Sequence, residues 1–188
     1  VQGLGTAFQK PVLTSLVTVL YRIAFQNVQR VFFENEENAR EFRERKILSA
    51  DRQVVLSGAG INLERYQMAP YPNHKRMHFL YLGRIMKEKG MDELFYTVRR
   101  LKKENEDFIL DLVGFFEEEY KDQVEELENS GIAHFYGFQS DPRMFYIEAD
   151  CVVLPSYHEG MSNVLLEAAA TGRPVITSNI SGCRESVE

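Results

Sequence analysis

The stretch that most constrains the fold is 151–175, where an apolar run leads through a Glu-Gly loop into an apolar helical pattern. Cys151, Val152, Val153 and Leu154 are short and apolar enough for a buried strand. Pro155, which has no N–H to give a ladder, ends it. Ser156, Tyr157, His158, Glu159 and Gly160 form a polar loop. Ser162 or Asn163 can then cap a helix through Ala170, and Gly172 and Pro174 close it before the next strand. A glycine and small polar residues at a strand's carboxyl end, opening straight into a helix, make an anion site. Amide N–H groups point outward there and the helix dipole favours negative charge.

The flanking sequence alternates in the same way. From Met77 the expected order is strand 79–83, helix from Met91, strand 108–114, helix 117–128, strand 134–137 and short helix 141–147. After residues 151–175, a strand at 174–177 and a last partial helix follow. Met91, Leu94, Phe95, Val98 and Leu101 fall on one helical face. Such alternation predicts an α/β fold with a parallel sheet flanked by helices. Upstream, residues 1–10 suggest a loop, and Pro11 suits a first helical turn. Val12, Leu13, Leu16, Leu20, Ile23 and Ala24 then recur at helical spacing. A strand at 30–33, a charged helix at 36–46 and a strand at 54–56 come next, the last ending in the loop 57–62. Residues 68–75 carry two prolines and no periodicity, which marks a linker.

With 188 residues, 44% of them hydrophobic, the chain can bury a real core. Its net charge of −6 argues against a nucleic-acid partner, and no nucleic-acid-binding motif is present. The basic run Arg40, Arg43, Arg45 and Lys46 fits a solvated helix face. Cys151 and Cys183 have neither metal-site spacing nor a disulfide framework, and reduced thiols in a cytoplasmic protein fit them best. Residues 12–25 are too short and too polar to span a bilayer and show no leader cleavage pattern.

Glu159 and Glu167 flank the loop with seven residues between them. The same count separates Glu36 from Glu44, Glu117 from Glu125 and Glu118 from Glu126. Those three pairs are expected in charged, solvated helices, so context distinguishes the first. Gly83-Arg84 and Lys89-Gly90 form a second cluster, expected between a strand end and a helix start, the usual ligand edge of an open α/β sheet.

Taken together, residues 159–167, the run Leu82-Gly83-Arg84-Ile85 with Lys89-Gly90, the loop 57–62 and Gly182-Cys183-Arg184-Glu185 resemble the donor-binding signatures of family 4 retaining glycosyltransferases. The last two look like capsule- and exopolysaccharide-type members. The resemblance covers nearly the whole chain and implies a GT-B architecture, in which residues 77–188 are most of a C-terminal Rossmann-like, nucleotide-sugar-binding domain. Residues 1–66 would be closing segments of the N-terminal acceptor domain, with 67–76 as linker, so that the chain is expected to bind donor without catalysing transfer.

The resemblance implies roles as well. Arg84 and Lys89 would clamp the donor diphosphate, where an arginine forks onto two oxygens and a lysine acts as a point charge. Glu159 would touch hydroxyls of the transferred sugar, and Gly83, Gly160, Met161, Ser162 and Asn163 would line the donor. Glu167 would accept from the ribose diol. Phe138 would occupy the position whose backbone reads the base, its ring either core or stacking platform. His134 fits a strand residue, and His158 a position near the donor. No cofactor or metal is expected, since fixed cations take that role and the chain lacks the Asp-x-Asp of metal-dependent GT-A enzymes. The implied partners are a nucleotide-diphosphate sugar, UDP-linked by preference, and a glycan or lipid-linked acceptor at the inner face of the cytoplasmic membrane. A nucleotide-sugar 2-epimerase and a non-catalytic sugar-nucleotide-binding subunit are the competing readings; turnover separates the second.

Overall fold

The computed structural model describes residues 11–58, 60–104 and 106–187. The expected loop at 1–10, the side chain of Val12 and Ala59 of the 57–62 loop lie outside those residues. Helix α1 (Pro11–Ala24) leads to strand β1 (Val31–Phe33), helix α2 (Glu36–Glu44) and strand β2 (Gln53–Val55). Then follow β3 (Met77–Ile85), α3 (Met91–Lys103), β4 (Phe108–Phe116), α4 (Lys121–Asn129), β5 (Ala133–Phe135), α5 (Arg143–Glu148), β6 (Cys151–Leu154), α6 (Asn163–Ala170) and β7 (Val175–Thr177).

Two parallel sheets result. The smaller pairs β1 with β2. The larger runs β5-β4-β3-β6-β7, parallel throughout. Period-2 alternation along its strands feeds two cores. Tyr81, Leu110 and Leu112 pack with Phe95 of α3 and Leu127 of α4, while Leu80, Val113 and Val152 pack with Tyr146 of α5 and Ala168 of α6. With a core on each face, β4 is buried from Phe108 to Gly114, so apart from Asp111 its sequence is apolar without alternation.

Two expectations need correcting. β3 runs to Ile85, because its ladder with β4 continues through Gly83↔Gly114 and Arg84↔Phe115. Arg84 is therefore a strand residue, not a loop residue. Helix α4 starts at Lys121, so Glu117 and Glu118 lie in the turn after β4 instead of in a solvated helix. The apolar stripe of α1 (Leu13, Leu16, Leu20, Ile23) is exposed; Tyr21, and Phe25 just past the helix, pack on Phe42 instead.

The linker is pinned to the larger sheet's helices. Buried Arg173 donates from Nε to Tyr146 O at 2.9 Å and from Nη2 to Pro70 O at 2.7 Å. Tyr71 donates to Asp150 O at 2.6 Å.

Candidate functional site

In the larger sheet the chain moves from β3 outward to β4 and β5, then returns to place β6 and β7 on the other side. Between β3 and β6 the order reverses. Loops leaving the carboxyl ends of such neighbouring strands diverge, and a crevice opens there. After β3 comes a 3-10 turn (Lys87–Lys89) and Gly90, whose φ of 74° suits glycine. A Cβ on Gly90 would lie 2.2 Å from Pro155 O, so only glycine lets the turn sit against the β6 loop. Tyr157 N then donates to Glu88 O at 2.9 Å.

Across the crevice Lys89 Nζ meets Glu159 Oε1 at 2.6 Å, with both side chains 15% exposed. The cleft around this pair, about 320 Å³, is lined by Gly83, Arg84, Gly160, Met161, Ser162 and Asn163, along with Glu34. Eight of the ten site residues named from sequence thus converge. Ser162, not Asn163, is the helix cap, its Oγ accepting from Leu165 N at 3.4 Å. The first turn of α6 accordingly opens into the cleft with its amide groups and dipole.

The Glu159–Ser162 loop is held from two sides. Ser162 N donates to Gly182 O at 2.9 Å, and Gly182 has φ 86° with Glu159 and Gly160 carbonyls where a Cβ would stand. From the smaller sheet, buried Asn35 donates through Nδ2 to Gly160 O at 2.7 Å, while its Oδ1 caps α2 by accepting from Asn38 N. Asn35 and Glu34 were not singled out from sequence, since nothing local signals a contact 125 residues away.

Arg84 is half-exposed and paired with Glu117 Oε2 at 2.8 Å. Glu118 accepts from Lys87 N at 2.7 Å. Two glutamates set aside as solvated thus border the site. Arg84 also borders a wider groove of about 810 Å³ shared with Lys87, three glutamates and the exposed His158. Its acidic excess makes it the poorer anion site. Tyr81 donates to Arg84 O at 2.5 Å, and burial, then the Glu159 charge, push its phenol up, keeping it a donor.

Glu167 and Phe138 do not line the cleft. Glu167 lies further along α6, where its Oε2 accepts from Tyr146 Oη at 2.7 Å. Burial, then the Glu167 charge, raise Tyr146; the same causes push Tyr66 up to about 12. Phe138 is 69% exposed, its ring edge-on to Phe115, so the core alternative for it is wrong. His134 lies in β5 as expected. Among the described residues no group of three or more His, Cys, Asp or Glu is placed to hold a metal ion, and no helix is long and apolar enough to cross a membrane.

The chain is similar over its whole length to the N,N'-diacetylbacillosaminyl-diphospho-undecaprenol alpha-1,3-N-acetylgalactosaminyltransferase of Campylobacter jejuni, at 30% identity and covering 53% of that protein. The capsular polysaccharide biosynthesis glycosyltransferase CapM of Staphylococcus aureus is 31% identical over 70% of this chain and 37% of its own length. Among solved structures, Anabaena HepE in complex with UDP-glucose matches with a TM-score of 0.76 at 20% identity, over 93% of this chain and 51% of that one. The chain therefore spans about half the length of the Campylobacter relative and of HepE. Its fold is the Rossmann-like parallel sheet, flanked by helices, of GT-B glycosyltransferases. From residue 65 to residue 188 the sequence matches the family model of glycosyl transferases group 1, and the chain belongs to that family.

Proposed function

We propose that this chain carries the donor site of a retaining, family 4-type glycosyltransferase that takes a nucleotide-diphosphate sugar, UDP-linked by preference. The Lys89–Glu159 pair at the strand-order reversal carries the reading. A cation and a carboxylate that shallowly buried, beside a helix N-terminus, suit a ligand with an anionic and a hydroxylated end.

On this reading the diphosphate lies against the first turn of α6 and draws Lys89 and Arg84 from their carboxylate partners. Charge growing on the leaving diphosphate then meets fixed positive groups, which take the role a metal has elsewhere. Glu159, released from Lys89, accepts from hydroxyls of the transferred sugar. Glu167, further along α6, accepts from the ribose diol, and the backbone at Phe138 borders the base. Residues 77–188 form the donor domain, with the linker 67–76 joining it to acceptor-side segments at 1–66. The lipid-diphosphate substrate named for the Campylobacter relative supports a lipid-linked acceptor, and with it work at a membrane surface.

Calorimetric titration of UDP, GDP and ADP into the chain tests the donor site. UDP is expected to bind, and at 100 times its Kd to stabilise the fold by about 2.7 kcal/mol. Folded protein that shows neither heat nor thermal shift with any of the three would sink the assignment. Retention is tested separately by proton NMR of the anomeric linkage in the product.

A further inference from the structure

The Glu167 carboxylate is not left to find its own orientation. Tyr146 Oη donates to its Oε2 at 2.7 Å from a fully buried ring. The other end of Tyr146 is tied as well, because Arg173, 3% exposed, donates to its carbonyl oxygen at 2.9 Å. Tyr66, just before the linker, packs edge-on against Tyr146, with ring centroids 6.0 Å apart and planes at 82°. A side chain fixed at both backbone and tip has little freedom left to lose on binding.

We propose that Tyr146 is a positioning residue for donor ribose, holding Glu167 through Oε2 so that its remaining lone pairs face the diol. This rests on the reading of Glu167 as the ribose acceptor. A carboxylate has about four acceptor positions and a vicinal diol needs two. Filling one from behind selects the rotamer that presents the others before the ligand arrives, as outer partners do for metal ligands. Tyr66, whose phenol also feels the Glu167 carboxylate, takes a lesser part.

The test is titration of the chain with whichever of UDP, GDP or ADP binds tightest, and with its 2',3'-dideoxy counterpart. Tyr146→Phe is expected to weaken the natural nucleotide about fivefold, the value of one hydrogen bond of ~1 kcal/mol. It should leave the dideoxy compound unchanged, and add nothing once Glu167 is alanine. Tyr66→Phe should act in the same direction and less strongly, which keeps a readout if Tyr146→Phe alters folding. Equal weakening of both nucleotides would show a purely structural tyrosine, and no weakening of either would show that Glu167 orients without it; each overturns the proposal while sparing the ribose reading. A wild-type chain that cannot tell the two nucleotides apart, or a Glu167→Ala chain that binds both as before, overturns the ribose reading and this proposal together.

Discussion

The two parallel sheets show how much of a fold a functional site needs around it. In the five-stranded sheet each face carries its own core, and strands such as β4 and β6 are buried along their length or nearly so. In the two-stranded sheet Val31 and Phe33 point into one small core, while Phe32 between them is 52% exposed. The helix preceding it, α1, likewise shows Leu16, Leu20 and Ile23 to the outside. In the larger sheet, helices on both faces hold the strands whose loops meet at the switch point. Among the described residues the turn after β1 gives the cleft a lining residue, Glu34, and a tether, Asn35, while the larger sheet supplies Arg84, Lys89, Glu159 and the helix terminus.

The difference in burial should appear first in stability. Leu112→Ala empties a fully buried position of the larger core and is expected to cost about 2–5 kcal/mol, read from urea unfolding. Leu16→Ala on the exposed face of α1 should stay within about 0.5 kcal/mol. Comparable losses would mean that the α1 stripe has a partner and that the contrast between the sheets is false.

Ligand binding sharpens the contrast next. Lys89→Ala is expected to weaken UDP by about 10- to 100-fold, corresponding to a charge-assisted bond of ~1.5–3 kcal/mol. Glu34→Gln, from the smaller sheet, should change it by less than about twofold, a surface-type effect. An equal effect of the two in calorimetry would make the smaller sheet a full partner in holding donor. Glu159→Gln should tighten bare UDP slightly, because the diphosphate no longer competes with a carboxylate for Lys89.

Asn35→Ala tests the tether itself. Loss of the α2 cap is expected to cost about 1 kcal/mol. Hydrogen exchange should rise in α2 with the five-stranded core still protected; exchange rising equally throughout would mean that the two sheets unfold as one.

The smallest effect concerns pH. Glu185 accepts from Gly182 N and Ser181 Oγ behind the Glu159 loop. Burial alone would raise its carboxyl, but the Ser181 bond and the backbone amides outweigh burial and hold it below the ordinary glutamate value. A depressed folded pKa stabilises above the unfolded value, and that contribution fades as pH falls through the folded one. Glu185→Gln should therefore flatten the acid limb of a melting-temperature profile below about pH 4.5. An unchanged limb would show that the loop takes no support from Glu185.

The sequence by itself determined the α/β alternation, a helix cap at Ser162 or Asn163, and the strand stopped by Pro155, while the family resemblance implied that Arg84 and Lys89 meet Glu159 and Gly160. The first three are written in local order: apolar period, cap chemistry, a proline without an N–H. What pairs with what was decided only by the tertiary structure. Glu117 and Glu118 looked no different from other helical glutamates until the long β3–β4 ladder brought their turn beside Arg84. Asn35, Tyr146 and Arg173 act across 21 to 125 residues, and Tyr66 leans on Tyr146 from across the linker. Side-chain chemistry tells which bonds a residue can make, but the partner is set by strand order and by the packing of helices on the two faces. That ordering also separated Glu159 from Glu167, placing one in the cleft with Lys89 and the other farther along α6 with Tyr146. Seven intervening residues fix their distance along the chain; the surface each carboxylate serves follows from where the loop ends and α6 begins.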